Sequence, residues 1–132
     1  MNITYREIES WTRQLATVTR GAKLKPDLLV TLNNPGEVLC GAMYLFNFPQ
    51  TPMCYTNTLP EKLNPDLFKC VIIFSSKATE EIQNVYMEAK GRYVDQVVQW
   101  VSIYTSKNSP TVDLWLMVIP EGEDIIYPWN RP

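Results

Sequence analysis

"NNPGEVLCGAMYLF", residues 33–46, is the stretch on which the fold turns. Asparagine, proline and glycine together in "NNPGE" have the chemistry of a tight turn. Behind them "VLCGAMYLF" (38–46) is apolar on both alternating sets, Val38, Cys40, Ala42 and Tyr44 on one and Leu39, Met43 and Leu45 on the other. With "DLLVTL" (27–32) in front, the stretch reads as a β-hairpin. A second strand apolar on both faces belongs in the middle of a sheet, covered on both sides.

Upstream, Thr4 and Glu7 fit a capping box, in which the hydroxyl reaches the N3 amide and the carboxylate reaches back. Ile8, Trp11, Leu15 and Val18 recur at steps of three and four, so they share one helical face. Gly21 supplies a stop. The first element is therefore a helix over 4–20.

Downstream, residues 47–66 form an irregular loop rich in proline, with Phe48, Met53, Cys54 and Tyr55 set among the breakers. "FKCVIIF" (68–74) reads as a strand. "SSKATEE" then has hydroxyls and carboxylates ahead of a periodic run, the signature of a helix start. The period continues through Ile82, Val85, Tyr86, Ala89, Tyr93, Val97, Trp100 and Tyr104 and predicts one long helix over 78–105. "TVDLWLMVI" (111–119) is the next strand, and "IIY" (125–127) a short last one. The unit 68–119 predicts a β-α-β crossover with parallel strands.

The expected architecture is α+β: one domain over 1–132, a two-layer sandwich with a mixed four- to five-stranded sheet, an N-terminal helix and one long helix. A chain of 132 residues, 45% hydrophobic and 20% charged, is large enough to bury a core without staples. No apolar run reaches the ~18–20 residues of a membrane span, and Met1 opens into a polar helix pattern rather than a signal core. We expect no membrane association and a place in the cytoplasm of a cell or a host cell. Three cysteines, with Cys40 and Cys70 inside apolar runs, make a poor disulfide framework.

Several chemistries are excluded. The chain has no histidine, so it holds no Ser-His-Asp triad, Cys-His dyad or histidine metal site. Glycine-rich phosphate loops of the usual spacings are also absent. Pro65-Asp66 followed by Glu88-Ala89-Lys90 imitates a nuclease pattern, but Glu88 and Lys90 fall within the expected helix. "PEGED" (120–124) clusters Glu121, Glu123 and Asp124 at a turn, where a solvated tip accounts for them better than a cation site does. Cys54 is the one cysteine in a loop and lacks an electropositive neighbour. No metal and no cofactor is expected.

What remains are surfaces. Arg6, Arg13, Arg20, Lys23 and Lys25 make residues 1–26 basic, while the rest of the chain is acidic. The arginines are spaced by seven and form one helical stripe suited to an acidic partner. Nucleic acid is disfavoured by the overall acidity. The candidate partner-binding set is Arg6, Arg13, Arg20, Phe48, Met53 and Tyr55. Met87, Val94, Val98 and Val101 broaden the apolar arc of the long helix and are the candidate contact in a homo-oligomer. The expected function is a non-enzymatic binding protein acting by protein-protein interaction, such as a small inhibitor, immunity or adaptor protein of microbial or phage type. The alternatives are a structural subunit of a homo-oligomer and an enzyme using Cys54 or carboxylates.

Overall fold

In the computed structural model, which describes residues 1–130, Asn34 opens a helix rather than a turn between strands. Its side chain accepts the Glu37 amide at 3.0 Å, Pro35 stands at the start of the helix and Glu37 in its first turn. Each of these is a helix-start preference: a capping side chain, a proline whose missing N–H costs nothing there, and an acid at the positive end. The helix α2 runs Pro35–Leu45 and follows α1 (Tyr5–Gly21) and β1 (Leu28–Thr31). It buries Gly36, Cys40, Gly41 and Tyr44, a helical spacing. At Gly41 it comes so close to β1 that an added Cβ would lie 2.7 Å from Thr31 Cγ2. The hairpin expectation fails here because the helix is apolar nearly all round, which hides its period.

The expected long helix is two elements. Thr79 caps α3 (Glu80–Arg92), which ends with Lys90 and Arg92 in its last turn. After Tyr93 the chain turns and becomes strand β4 (Val97–Thr105). Valine and isoleucine at 97, 98, 101 and 103 suit a buried strand better than a helix. Trp100 in β4 is fully buried, and its indole N–H donates to Ser75 Oγ at 3.0 Å.

The irregular loop contributes an edge strand, β2 (Met53–Tyr55), followed by a single 3-10 turn at Thr56–Thr58. Thr51 ties the approach to β2 by donating to the Pro26 carbonyl at 2.7 Å. Beyond the turn, Arg92 donates to the carbonyls of Leu59 and Pro60, Tyr93 to that of Pro60, and Gln96 to that of Leu63. This places 59–63 over the α3 side of the sheet, where Leu59, Leu63 and Phe68 extend the core. Phe46, by contrast, is 83% exposed.

With β3 (Cys70–Lys77) and β5 (Leu114–Val118), the sheet has five strands in the order β2-β1-β3-β4-β5. Every pairing is parallel. β3 and β5 are parallel as expected, but β4 lies between them. Residues 125–127 add one isolated bridge, Asn2 with Ile126, rather than a strand of the sheet. One face carries α1 and α2 over Ile72, Phe74, Val101 and Ile103. The other carries α3 over Val71, Ile73, Val98 and Trp100. Helices on both faces of a parallel sheet define an α/β fold, not a two-layer α+β sandwich with a mixed sheet. Among the described residues, no helix is long and apolar enough to cross a membrane.

Candidate functional site

The chain leaves β1 for β2 on one side and later returns to β3 on the other. In an open parallel sheet such a switch point leaves a crevice beyond the carboxyl ends of the strands, where ligands bind. A cavity of about 1030 Å³ lies there. Its walls are the start of α2, the end of β3 with the start of α3, the end of β4, and the segment 124–130.

Glu37 joins the two helix entries. Its carboxylate accepts the Ser76 amide at 2.9 Å and the Ser76 hydroxyl at 2.6 Å. Burial pushes its pKa above the usual carboxylate value, the two Ser76 hydrogen bonds oppose that, and the charge of Glu81 adds to it. Lys77 pairs with Asp124 at 2.6 Å, and Tyr104 donates to the same carboxylate at 3.4 Å. Among the described residues, three carboxylates, Glu37, Glu81 and Asp124, thus face the crevice against one lysine.

The roof is aromatic. Trp129 stacks on Tyr127 with ring centroids 4.8 Å apart and planes 4° from parallel, and Tyr5 lies 6.3 Å away. The indole rests directly on Gly36, where an added Cβ would come 2.7 Å from Trp129 Cε2. Only glycine fits between the α2 backbone and this ring. Among the described residues the Tyr127 hydroxyl is buried without a completed hydrogen bond; Ser76, already donating to Glu37, is the polar side chain beside it. Burial, above all, keeps that phenol protonated. The roof is held by the chain's first residues, Ile3 N–H donating to the Ile126 carbonyl at 3.1 Å and Ile126 N–H to that of Met1 at 2.7 Å.

Both α2 and α3 begin at the crevice. Helix starts leave backbone N–H groups facing outward and carry a partial positive charge, which favours anions. The site can therefore take a planar body beside the indole and an anionic group near the helix ends. Among the described residues no group of three or more Asp, Glu, Cys or His side chains could hold a metal, so a cation here would need oxygens from a ligand as well.

None of the partner-binding candidates lines this crevice. Arg13 pairs with Glu9 at 3.0 Å, and Arg6 is exposed on the first turn of α1. Arg20 lies 4.8 Å above the Phe48 ring and donates to the Asn47 carbonyl at 2.5 Å, at the opposite end of the sheet. Met53 and Tyr55 are half-buried in β2. Cys54 is half-buried beside them, and burial pushes its thiol up to about 11. The oligomer-contact candidates do not form one strip: Met87 and Val94 are exposed, while Val98 and Val101 lie in the core on β4. The crevice residues themselves went unread, apart from Asp124 within its acidic cluster. The available signal was Asn34-Pro35-Gly36-Glu37, a cap, a first-turn proline and an acid in sequence.

No protein-family model matches the chain, and no curated protein matches it in sequence. Solved structures do match in fold. The xanthine-guanine-hypoxanthine phosphoribosyltransferase of Helicobacter pylori superposes with a TM-score of 0.79 at 12% identity, covering 97% of this chain and 90% of that one. A purine phosphoribosyltransferase from Pyrococcus horikoshii gives 0.78 at 16% identity, over 100% and 94%. A hypothetical protein from Neisseria gonorrhoeae with bound ppGpp gives 0.75 at 16%, over 99% and 90%. A likeness spanning the whole chain with such enzymes overturns the expectation of a non-enzymatic inhibitor, immunity or adaptor protein. The parallel sheet, its strand order and these superpositions together give the chain the type I phosphoribosyltransferase fold.

Proposed function

We propose that the protein is an enzyme of the phosphoribosyltransferase type, joining a phosphoribosyl group to a purine-class base in the crevice at the switch point. One observation carries this reading: the stacked Trp129 and Tyr127 roof a cavity into which two helix starts open. A planar base and a phosphate then find complementary surfaces side by side. The likeness in fold to purine phosphoribosyltransferases supports the choice of reaction.

In this reading the base seats in the cavity beside the half-buried indole, an aromatic wall with a polar handle. The Tyr127 hydroxyl, buried and without a completed bond among the described residues, belongs to the same lining, and such groups invite a partner. Glu37 clamped to Ser76 locks the start of α2 to the end of β3, so the two helix ends keep a fixed separation around the phosphate. Transfer forms a bond from a ring nitrogen of the base to the anomeric carbon of the ribose. The bond from that carbon to the diphosphate oxygen breaks, diphosphate leaves with the electron pair, and the proton of the ring nitrogen passes to solvent.

The charge balance adds a condition. Among the described residues, Glu37, Glu81 and Asp124 stand against Lys77 and oppose the entry of a bare phosphorylated donor. A divalent cation carried on the donor's phosphates would neutralise that charge, and Glu81, exposed at the mouth, is a carboxylate that would face it.

The test is direct. Protein incubated with phosphoribosyl diphosphate, magnesium and hypoxanthine, guanine, xanthine or adenine should release a nucleoside monophosphate, separable by chromatography. A chelator should abolish product. If no base yields product and none quenches the tryptophan fluorescence, the reading is overturned.

A further inference from the structure

The opposite end of the sheet carries a second cavity, of about 780 Å³. It is built by the end of α1, the loop from α2 to β2, and the run into β3. Its apolar surface comes from Leu24, Phe48, Leu67 and Phe68, and Leu67 is 69% exposed. Its rim holds Arg20, Lys23 and Lys25, with Asp27 as the sole acid. Asp27 is already engaged, since its carboxylate accepts the amides of Lys69 at 2.8 Å and Cys70 at 3.0 Å. Among the described residues neither lysine side chain has an ion pair.

A second feature concerns the backbone. Lys23 has φ of 61° and is the one residue other than glycine, among those described, with a positive φ. Here α1 ends by donating the Leu24 amide to Thr19 and the Lys23 amide to Arg20. The left-handed position of such an ending is ordinarily glycine, and a side chain held there is strained. Strain of this kind marks positions whose side chain is used. The negative ends of α1 and α2 would by themselves favour cations nearby. They do not account for an open apolar floor beside a strained lysine.

We propose that this cavity is a binding site for a small organic anion with an apolar or aromatic body. The body seats on Leu67 and Phe68, and the anionic group, a carboxylate, sulfonate or phosphate, lies between Lys23 and Lys25. The size suits one small-molecule ligand. The site is independent of the crevice chemistry and does not rest on the reaction assigned to it.

The probe is anilinonaphthalene sulfonate, an aromatic anion that fluoresces when its ring leaves water. Expected is saturable binding at one site, weakened by salt. The double variant Lys23→Gln with Lys25→Gln should bind at least about fivefold more weakly, each lost charge contact being a modest term at an exposed site. Lys23→Gly should also bind more weakly while melting at a higher temperature, because glycine relieves the backbone. Lys77→Gln, at the crevice, should leave the affinity unchanged. Unchanged affinity in the double variant, with its melting temperature retained, overturns the proposal. So does a loss that follows Lys77→Gln instead.

Discussion

The two ends of one parallel sheet have been given opposite surfaces. At the carboxyl end, beyond Thr31, Ser76 and Tyr104, the walls are acidic and the roof is a stacked tryptophan and tyrosine. At the amino end, around Asp27 and Phe68, the rim is basic and the floor apolar. The acidic end coincides with the positive ends of α2 and α3, so charge on the chain there opposes bare phosphate even as the backbone favours it. At the basic end, side chains and the negative helix ends attract each other, and the rim is stable without a ligand. The difference teaches that the two proposed sites divide by charge: an anion entering the crevice must offset its carboxylates, whereas one entering the far cavity meets lysines.

The largest effect should come from the core between the two ends. Trp100 is fully buried on β4 and hydrogen-bonded to Ser75. Trp100→Ala should cost about 3–5 kcal/mol, as large-to-small core changes do, and should weaken both sites together in a denaturant titration with ligand present. A variant that loosened one end alone would show that the two surfaces do not share a single cooperative core.

Gly36→Val should separate the ends. The added side chain meets Trp129, and overpacking of this kind costs about 1–3 kcal/mol. Purine binding, read by tryptophan quenching, should collapse, while sulfonate binding at the far cavity stays at the wild-type value. Unaltered quenching would mean that the indole is not the roof of a base site.

Lys23→Gly sharpens the comparison with a gain. Relief of a left-handed lysine should stabilise the fold by up to about 1 kcal/mol, seen as a higher melting temperature. Product formation in the crevice should not change.

How much of this was legible follows from local chemistry. The capping box of Thr4 and Glu7 was readable and is present in the structure; β3 and β5 were readable as apolar runs between breakers. Two misreadings account for the wrong fold class. Residues 38–46 are so apolar that a helix and a central strand look alike, and the decisive signs were the cap, proline and acid at 34–37. Residues 93–104 continue the helical phase of α3 through Tyr93, Val97, Trp100 and Tyr104, although those beyond Tyr93 lie on a strand. Once the long helix was assumed, a sheet covered by helices on both faces was out of reach. The crevice was hidden for another reason. Its contacts join Glu37 to Ser76 and Gly36 to Trp129, pairs far apart in sequence that belong to no motif and become neighbours only in the folded chain.

The smallest effect expected concerns Glu37, and it shows in slope rather than size. Its pKa is raised in the folded protein, chiefly by burial, above the ordinary 4.5. Between that value and the raised one, the folded state therefore holds a proton that the unfolded chain has released. Stability from this group is greatest at low pH and falls as pH rises through that window, after which the loss stays constant. Glu37→Gln keeps an acceptor for Ser76 and removes the titration, so its net cost should stay within about 1 kcal/mol. The informative quantity is the difference in unfolding free energy between variant and wild type across mildly acidic pH. That difference should move in favour of glutamine as pH rises. Parallel curves would mean that the clamp between α2 and β3 is solvated, and that the acidic end of the sheet is no drier than the basic one.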